Sequence, residues 1–343
     1  MEFIRVEDCC EILDSQRKPI TESERVPGMY PYYGANGIQG TINQYIFDDK
    51  LVLVAEDGGH FGSKTKPIAY LVNGKCWVNN HAHVLRAKKG FLAEYICYSL
   101  MFYKIEGYIN GATRQKLTQA ALRKLIIPKR PVEYQKAIVD RLDLVKCIIE
   151  KKQDLINELD ILIKSRFVEM FGDITERGRF KVKRWKEVLD IFNGKDYKNV
   201  LVNKGGYPVY GSGGIIARAN DYICPAGTII IGRKGSINNP ILVSEKFWNV
   251  DTAFGIVPKE VININYLFYF CKQYNFNRLN KATTLPSLTK RDLLEIEINI
   301  PDLEEQVKFS EFVTQINKLK SDVQKSIDET KLLMDSLMQE YFG

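Results

Sequence analysis

The sequence predicts an α+β protein: two tandem mixed α/β domains, separated and followed by long helices that pair as an antiparallel coiled coil. Three observations predict this. A long repeat runs through the chain, short β-like runs alternate with turn residues inside each copy, and each copy closes on a sustained 4-3 apolar spacing.

The repeat comes first because it sets the domain count. Pro31-Tyr32-Tyr33-Gly34-Ala35-Asn36-Gly37-Ile38 matches Pro208-Val209-Tyr210-Gly211-Ser212-Gly213-Gly214-Ile215 at an offset of 177. At the same offset Leu53-Val54-Ala55-Glu56-Asp57-Gly58 falls on Ile230-Ile231-Gly232-Arg233-Lys234-Gly235. Further on, Trp77 to Ala82 aligns with Trp248 to Ala253, and the offset has shortened to 171, as loop deletions produce. Pro128 and Gln135 then correspond to Pro301 and Gln306, and Glu169-Met170-Phe171-Gly172 to Glu340-Tyr341-Phe342-Gly343. Two units of about 171 residues account for the 343, leaving an expectation of no separate catalytic domain.

Within each copy the β-like runs are Leu51 to Glu56, Ile68 to Val72 and Trp77 to Leu85, then Thr228 to Ile231, Ile241 to Ser244 and Phe254 to Val257. Helical runs at Leu92 to Tyr103 and Ile264 to Tyr274 are interspersed. After Pro128-Lys129-Arg130-Pro131 the pattern changes to Ile138, Leu142, Val145, Ile149, Lys152, Ile156, Leu159, Ile163, Arg166 and Met170. After Pro301 it becomes Phe309, Val313, Ile316, Lys320, Val323, Ile327, Thr330, Met334, Leu337 and Tyr341. A 4-3 spacing held over four heptads is the coiled-coil signal. Lys152 and Arg166 correspond to Val323 and Leu337, so the flaws do not coincide and the helices can complement one another. The divisions predicted are 1–133 and 173–303 for the two domains and 134–172 and 304–343 for the helices, with the domains at opposite ends of the paired helices.

Composition narrows the function. Hydrophobic residues are 45% and charged residues 27%, typical of folded domains. No run approaches a membrane span, and the start lacks a basic stretch followed by an apolar one. Seven scattered cysteines without a CxxC pair suit reduced thiols of a cytoplasmic protein rather than zinc or disulfides. His81 and His83 read as a polar pair at a strand edge, and no metal site is expected. The net charge of +7 is unevenly spread, at +4, 0, +6 and −3 over the four divisions in chain order. Two basic blocks on struts that carry no positive excess suit a polyanion held at two places. Duplex DNA fits, because half-site spacing on a duplex is set by protein geometry.

Enzyme readings fare worse. Asn238-Asn239-Pro240-Ile241 lacks the second proline and the aromatic of an amino-methyltransferase loop, no GxxxxGK[ST] phosphate loop occurs, and Glu150-Lys151-Lys152 lies in the heptad helix. The remaining competitor is a non-catalytic two-headed protein scaffold without sequence-specific DNA binding.

An ordered set of segments carries a family resemblance. The domain openings Cys9-Cys10-Glu11-Ile12-Leu13-Asp14-Ser15-Gln16-Arg17-Lys18-Pro19-Ile20 and Trp185-Lys186-Glu187-Val188-Leu189-Asp190-Ile191-Phe192-Asn193-Gly194-Lys195 are followed by the Tyr-Gly-x-x-Gly-Ile segments. The Arg233-Lys234-Gly235-Ser236 turn, Ala112-Thr113 with Leu117-Thr118, Ala282-Thr283 with Leu288-Thr289, and the Phe-Gly helix ends complete it. Taken in order, twice over the whole chain, this resembles the specificity (S) subunits of type I restriction-modification systems. The resemblance implies two target-recognition domains that bind a bipartite, asymmetric double-stranded DNA sequence. It also implies docking of two adenine-N6 methyltransferase (M) subunits and of restriction (R) subunits, with S-adenosylmethionine, ATP and Mg used by those partners, no chemistry in this chain and no membrane.

Glycine turns let backbone approach a ligand and present flanking side chains. The DNA-binding residues expected in the first copy are Tyr33, Asn36, Lys64, Lys66, Arg114, Gln115 and Lys116. Those in the second are Tyr210, Ser212, Arg218, Arg233, Lys234, Lys281, Thr283 and Thr284. Glu56-Asp57 standing where the second copy has Arg233-Lys234 predicts that the two domains read different bases.

Overall fold

The computed structural model describes residues 2–111, 115–176, 178–280 and 286–343. The chain divides into two compact units, one made of Met1–Lys152 with Ser326–Gly343, the other of Gln153–Lys325.

In the first unit a six-stranded sheet runs in the order Cys10–Ile12, Ala82–Ala87, Phe47–Ala55, Ala69–Val78, Tyr30–Gly34, Gly37–Ile42. All neighbours are antiparallel except Tyr30–Gly34, which lies parallel to Ala69–Val78 with Tyr32 opposite Trp77. The run Leu51-Val52-Leu53-Val54 is apolar throughout because both faces are covered. Val52 and Val54 pack with Ile96 and Leu100 of the helix Ala93–Met101, while Leu51 and Leu53 pack with Val72 and Val84 on the other side. The run Trp77 to Leu85 is not one strand. Trp77 and Val78 end one strand and Ala82 begins the next, because the Asn79 side chain accepts the His81 N–H at 2.8 Å and turns the chain between them.

The second unit repeats this topology in two pieces. One sheet runs Leu189–Asn193, Ala253–Pro258, Thr228–Gly232, Ile241–Val243, and the other Leu201–Val202, Gly214–Ala219, Tyr207–Gly211, Trp248–Asn249. The strand that is continuous at Ala69–Val78 is here split into Ile241–Val243 and Trp248–Asn249, with Phe247 between them bridged to Cys224. The parallel pairing survives the split, with Val209 opposite Trp248.

Each unit anchors to a long helix through one buried glutamine. Gln135, in the helix Val132–Phe171, accepts the Leu92 N–H at 2.9 Å and donates to the carbonyls of Gly90 at 3.0 Å and Arg130 at 2.8 Å. Gln306, in the helix Leu303–Phe342, accepts the Asn263 N–H at 2.8 Å and donates to Val261 at 3.2 Å and Pro301 at 2.8 Å. A tyrosine hydroxyl reinforces each joint, Tyr95 to the Pro128 carbonyl and Tyr266 to that of Asn299.

The two long helices pack antiparallel within each unit. In the first, Arg141 donates to the Tyr341 hydroxyl at 3.1 Å, and Lys152 Nζ to Ser326 Oγ at 2.8 Å and Thr330 Oγ1 at 2.9 Å. In the second, Lys320 pairs with Asp160 at 2.6 Å and Phe167 meets Phe309 with ring centroids 5.4 Å apart. In both, numbers rise along one helix as they fall along the other. Lys152, an interruption in the first apolar stripe, thus lands on Thr330, an interruption in the second, which satisfies both polar groups and fixes their register. The predicted stripe is buried at Ile138, Leu142, Leu159 and Ile163 and at Phe309, Val313 and Ile327. It departs from the expected spacing at one end. Phe167 and Phe171 are buried where Arg166 and Met170 were expected to be, because the aromatic residues Tyr266 and Phe309 supply the partner surface there. Arg166 turns to Glu169 instead, at 2.8 Å. Among the described residues no helix is long and apolar enough to cross a membrane.

Candidate nucleic-acid interface

In the first unit three segments meet at one tip. The hairpin between Tyr30–Gly34 and Gly37–Ile42 turns on Gly37 at φ 110°, and Asn36 Nδ2 reaches from it to the Gly58 carbonyl at 2.9 Å. The Glu56-Asp57-Gly58 turn continues the strand Phe47–Ala55. A third segment, Lys116–Leu117, closes on that turn through the Leu117 N–H to the Glu56 carbonyl at 2.7 Å and a bridge between Asp57 and Lys116. The Tyr70 hydroxyl steadies the hairpin by donating to the Gly34 carbonyl.

The second unit builds the same tip. The hairpin turns on Gly214 at φ 125°, and Gly232 lets it lie close, since a Cβ there would stand 3.1 Å from Ser212 Cβ and 2.4 Å from the Ser236 carbonyl oxygen. The Leu288 N–H donates to the Arg233 carbonyl at 2.8 Å and Lys234 bridges Ser287.

The expected residues fall into groups about these tips. Asn36 and Lys116 come together in the first, with exposed Gln115 beside Lys116, and Ser212, Arg233 and Lys234 come together in the second. Arg233 and Lys234 are exposed, the former touching the Asp251 carbonyl at 3.4 Å. Lys64 and Lys66 are exposed on the loop that follows the first turn. Arg218 stands at the far end of its hairpin, opposite Pro208, and donates to the Gly206 carbonyl at 3.2 Å. Tyr33 and Tyr210 are half-buried supports, packed on Tyr70 and Phe247, and burial pushes both phenols above their ordinary range. Arg114, Lys281, Thr283 and Thr284 lie outside the described residues.

The largest feature missed by sequence reasoning sits beneath the first tip. His83 is not at a polar edge. It is fully buried, with Nδ1 2.6 Å from Asp14 Oδ2 and 3.6 Å from Glu56 Oε2, and Nε2 2.8 Å from the Leu117 carbonyl. Glu56 is also held by Arg17 at 2.7 Å and Lys116 at 2.9 Å, and Asp14 accepts from Gln119 at 3.0 Å. Burial pushes the Asp14 carboxyl up, but the hydrogen bond and charge of His83, with bonds from Gln119 and the Val84 N–H, outweigh it and leave the group below its usual range. Glu56 shows the same balance, burial being overcome by Lys116, Arg17 and His83. Ligand-type atoms of Asp14, Glu56 and His83 lie within 4.8 Å of one another, but they already engage Arg17, Lys116 and each other. In the second unit the strand pairing and turns place Asn193, Arg233 and Phe254 at the positions of Asp14, Glu56 and His83. Nothing in the first copy alone marks these three residues, which are far apart in sequence.

The first tip thus offers amide, ammonium and neutralised carboxylate groups, and the second offers guanidinium, ammonium and hydroxyl groups. Donors of both kinds address phosphates and base edges. Comparison with known proteins agrees with this paired design. A type I restriction enzyme specificity subunit assigned in Haemophilus influenzae is 25% identical over 364 residues, covering 95% of this chain and 90% of its own. The MjaVIII type I restriction enzyme specificity subunit of Methanocaldococcus jannaschii is 24% identical over 381 residues, covering 93% and 86%. The crystal structure of a type I restriction-modification S subunit from M. genitalium shares the fold, with TM-score 0.61, 16% identity and coverage of 100% and 96%. So does a chain from a structure of complex assembly in a type I R-M system, with TM-score 0.63, 17% identity and coverage of 99% and 97%. Residues 1–160 and 178–330 each match the family described as type I restriction modification DNA specificity domain, and the chain belongs to that family, carrying its domain twice.

Proposed function

We propose that this chain is the non-catalytic specificity subunit of a type I restriction-modification complex, reading a bipartite and asymmetric duplex sequence with one half-site per tip. The observation that carries the reading is the pair of equivalent tips, built from the same three segments yet lined by different side chains. Ala35, Asn36, Asp57 and Lys116 stand where the second unit has Ser212, Gly213, Lys234 and Ser287. A shared scaffold with different hydrogen-bonding groups suits two different base sequences.

Catalysis belongs to partners in this reading: adenine-N6 methyltransferase subunits using S-adenosylmethionine and, in the restriction complex, ATP- and Mg-dependent restriction subunits. Two methyltransferase subunits per chain are supported by a second repeated feature. Ile161 and Leu162 are 63% and 46% exposed on the first long helix, and Leu332 and Leu333 are 69% and 50% exposed on the second. The pairs coincide at the repeat offset of 171. Adjacent exposed aliphatic side chains at the same place in both copies form two like docking points for two copies of one partner. Burying such a side chain contributes about 1.5–3 kcal/mol. Ile161→Glu with Leu162→Glu, or Leu332→Glu with Leu333→Glu, is therefore expected to weaken one methyltransferase by about 100-fold or more. Native mass spectrometry then finds one such subunit per chain in place of two. Loss of both from either double variant, or of neither, goes against two independent sites.

The reading as a whole is tested by co-expressing the chain with a methyltransferase subunit from the same genome and mapping N6-methyladenine across the host genome. One bipartite motif with a fixed gap, absent without this chain, is the expected result. A chain that recruits no methyltransferase and directs no new methylation is the two-headed scaffold instead.

A further inference from the structure

Among the described residues, the buried ion cluster beneath the first tip has no counterpart in the second. A carbonyl oxygen only accepts, so His83 Nε2 carries a proton toward Leu117 at 2.8 Å. Asp14 Oδ2 accepts from Gln119, and its Oδ1 accepts the Val84 N–H at 2.9 Å, so this carboxylate faces Nδ1 as an acceptor too, at 2.6 Å. The His83 ring thus ties Asp14 to the Leu117 carbonyl. The charged groups that face it are Asp14 and Glu56, with Arg17 and Lys116 gripping those carboxylates from their other sides.

We infer that His83 is a positioning residue for the first half-site, a buried pin that holds the Lys116–Leu117 segment against the Glu56–Gly58 turn. The consequence for DNA rests on the reading above; the pin itself does not. Without the ring, the Leu117 carbonyl and the buried Asp14 carboxylate each lose a partner, and one tie between the Lys116–Leu117 segment and the strand Ala82–Ala87 is cut. The second tip has Phe254 in place of His83, and all three histidines, His60, His81 and His83, precede residue 84. The second tip is therefore a built-in reference without this pin.

The test uses the free full chain and so does not depend on any DNA target. Hydrogen-exchange mass spectrometry at a single pH compares peptides around Leu117, around Leu288 and from the strand Phe47–Ala55 in wild type and variants. His83→Phe, which gives the first unit the side chain the second carries as Phe254, is expected to speed exchange around Leu117 at least tenfold and to leave the other two peptides unchanged. His81→Gln, which removes the nearby pair with Asp57, is expected to leave all three unchanged. Unchanged exchange around Leu117 in His83→Phe, equal acceleration of all three peptides, or the same acceleration in His81→Gln overturns the inference. Failure of the DNA reading registers separately, in the methylation map.

Discussion

Gln306→Leu is expected to cost the second unit about 3–5 kcal/mol. The leucine keeps the volume but strands the Asn263 N–H and the carbonyls of Val261 and Pro301, all of which the native amide satisfies in a site with no solvent exposure. Each buried polar group left without a partner costs about 1–3 kcal/mol. Urea unfolding followed by tryptophan fluorescence, which samples Trp185 and Trp248 in this unit, measures the loss. A change below about 1 kcal/mol means that water or a rearranged loop replaces the amide. Gln135→Leu repeats the experiment at the equivalent joint of the first unit, where Trp77 reports. Because the amide ties the start of a long helix to the loop entering a domain helix, each variant is also expected to loosen the angle at which a domain is presented.

Phe167→Ala is the second large effect, at about 3–5 kcal/mol for an aromatic ring removed from a packed core. The ring is 1% exposed and lies between three others, stacked on Tyr266 at 5.4 Å and edge-on to Phe171 at 5.1 Å and Phe309 at 5.4 Å. It joins both long helices to the second domain, so its loss removes a three-way contact. Arg166→Ala, one position earlier, where the half-exposed side chain pairs with Glu169, is the control and is expected to change stability by less than about 1 kcal/mol. Comparable losses from the two variants would restore the simple heptad register in which position 166 faces inward.

What was legible in the sequence was whatever the chain says twice. The matched Tyr-Gly-x-x-Gly-Ile and Trp segments gave the domain order, and the 4-3 spacing gave both long helices. Gln135 and Gln306 stood out as a repeated pair, although nothing local declared that each makes three buried hydrogen bonds. The features that escaped are those said once. His83 meets Asp14 and Glu56 from 69 and 27 positions away, and its repeat partner is a phenylalanine. Phe167 slipped past because periodicity describes how a helix meets another helix, and at that end the partner surface includes a domain. The break at Asn79 turns on a single side-chain hydrogen bond inside an otherwise β-rich run.

The makeup of the two compact units bears on the order in which the protein matures on the ribosome. The second unit is one uninterrupted stretch, Gln153–Lys325, whose partners are all present once it has emerged. The first unit, although translated earlier, takes Ser326–Gly343 from beyond the second. Its cluster of Tyr95, Tyr98, Ile138 and Leu142 is covered by Tyr341 and Phe342, roughly 200 residues later. Closing so long a separation is slow compared with local folding, and the waiting surface is apolar. The domain synthesised first is thus finished last, and a nascent chain stalled between the two Phe-Gly ends leaves a sticky, half-dressed face that chaperones and proteases can recognise.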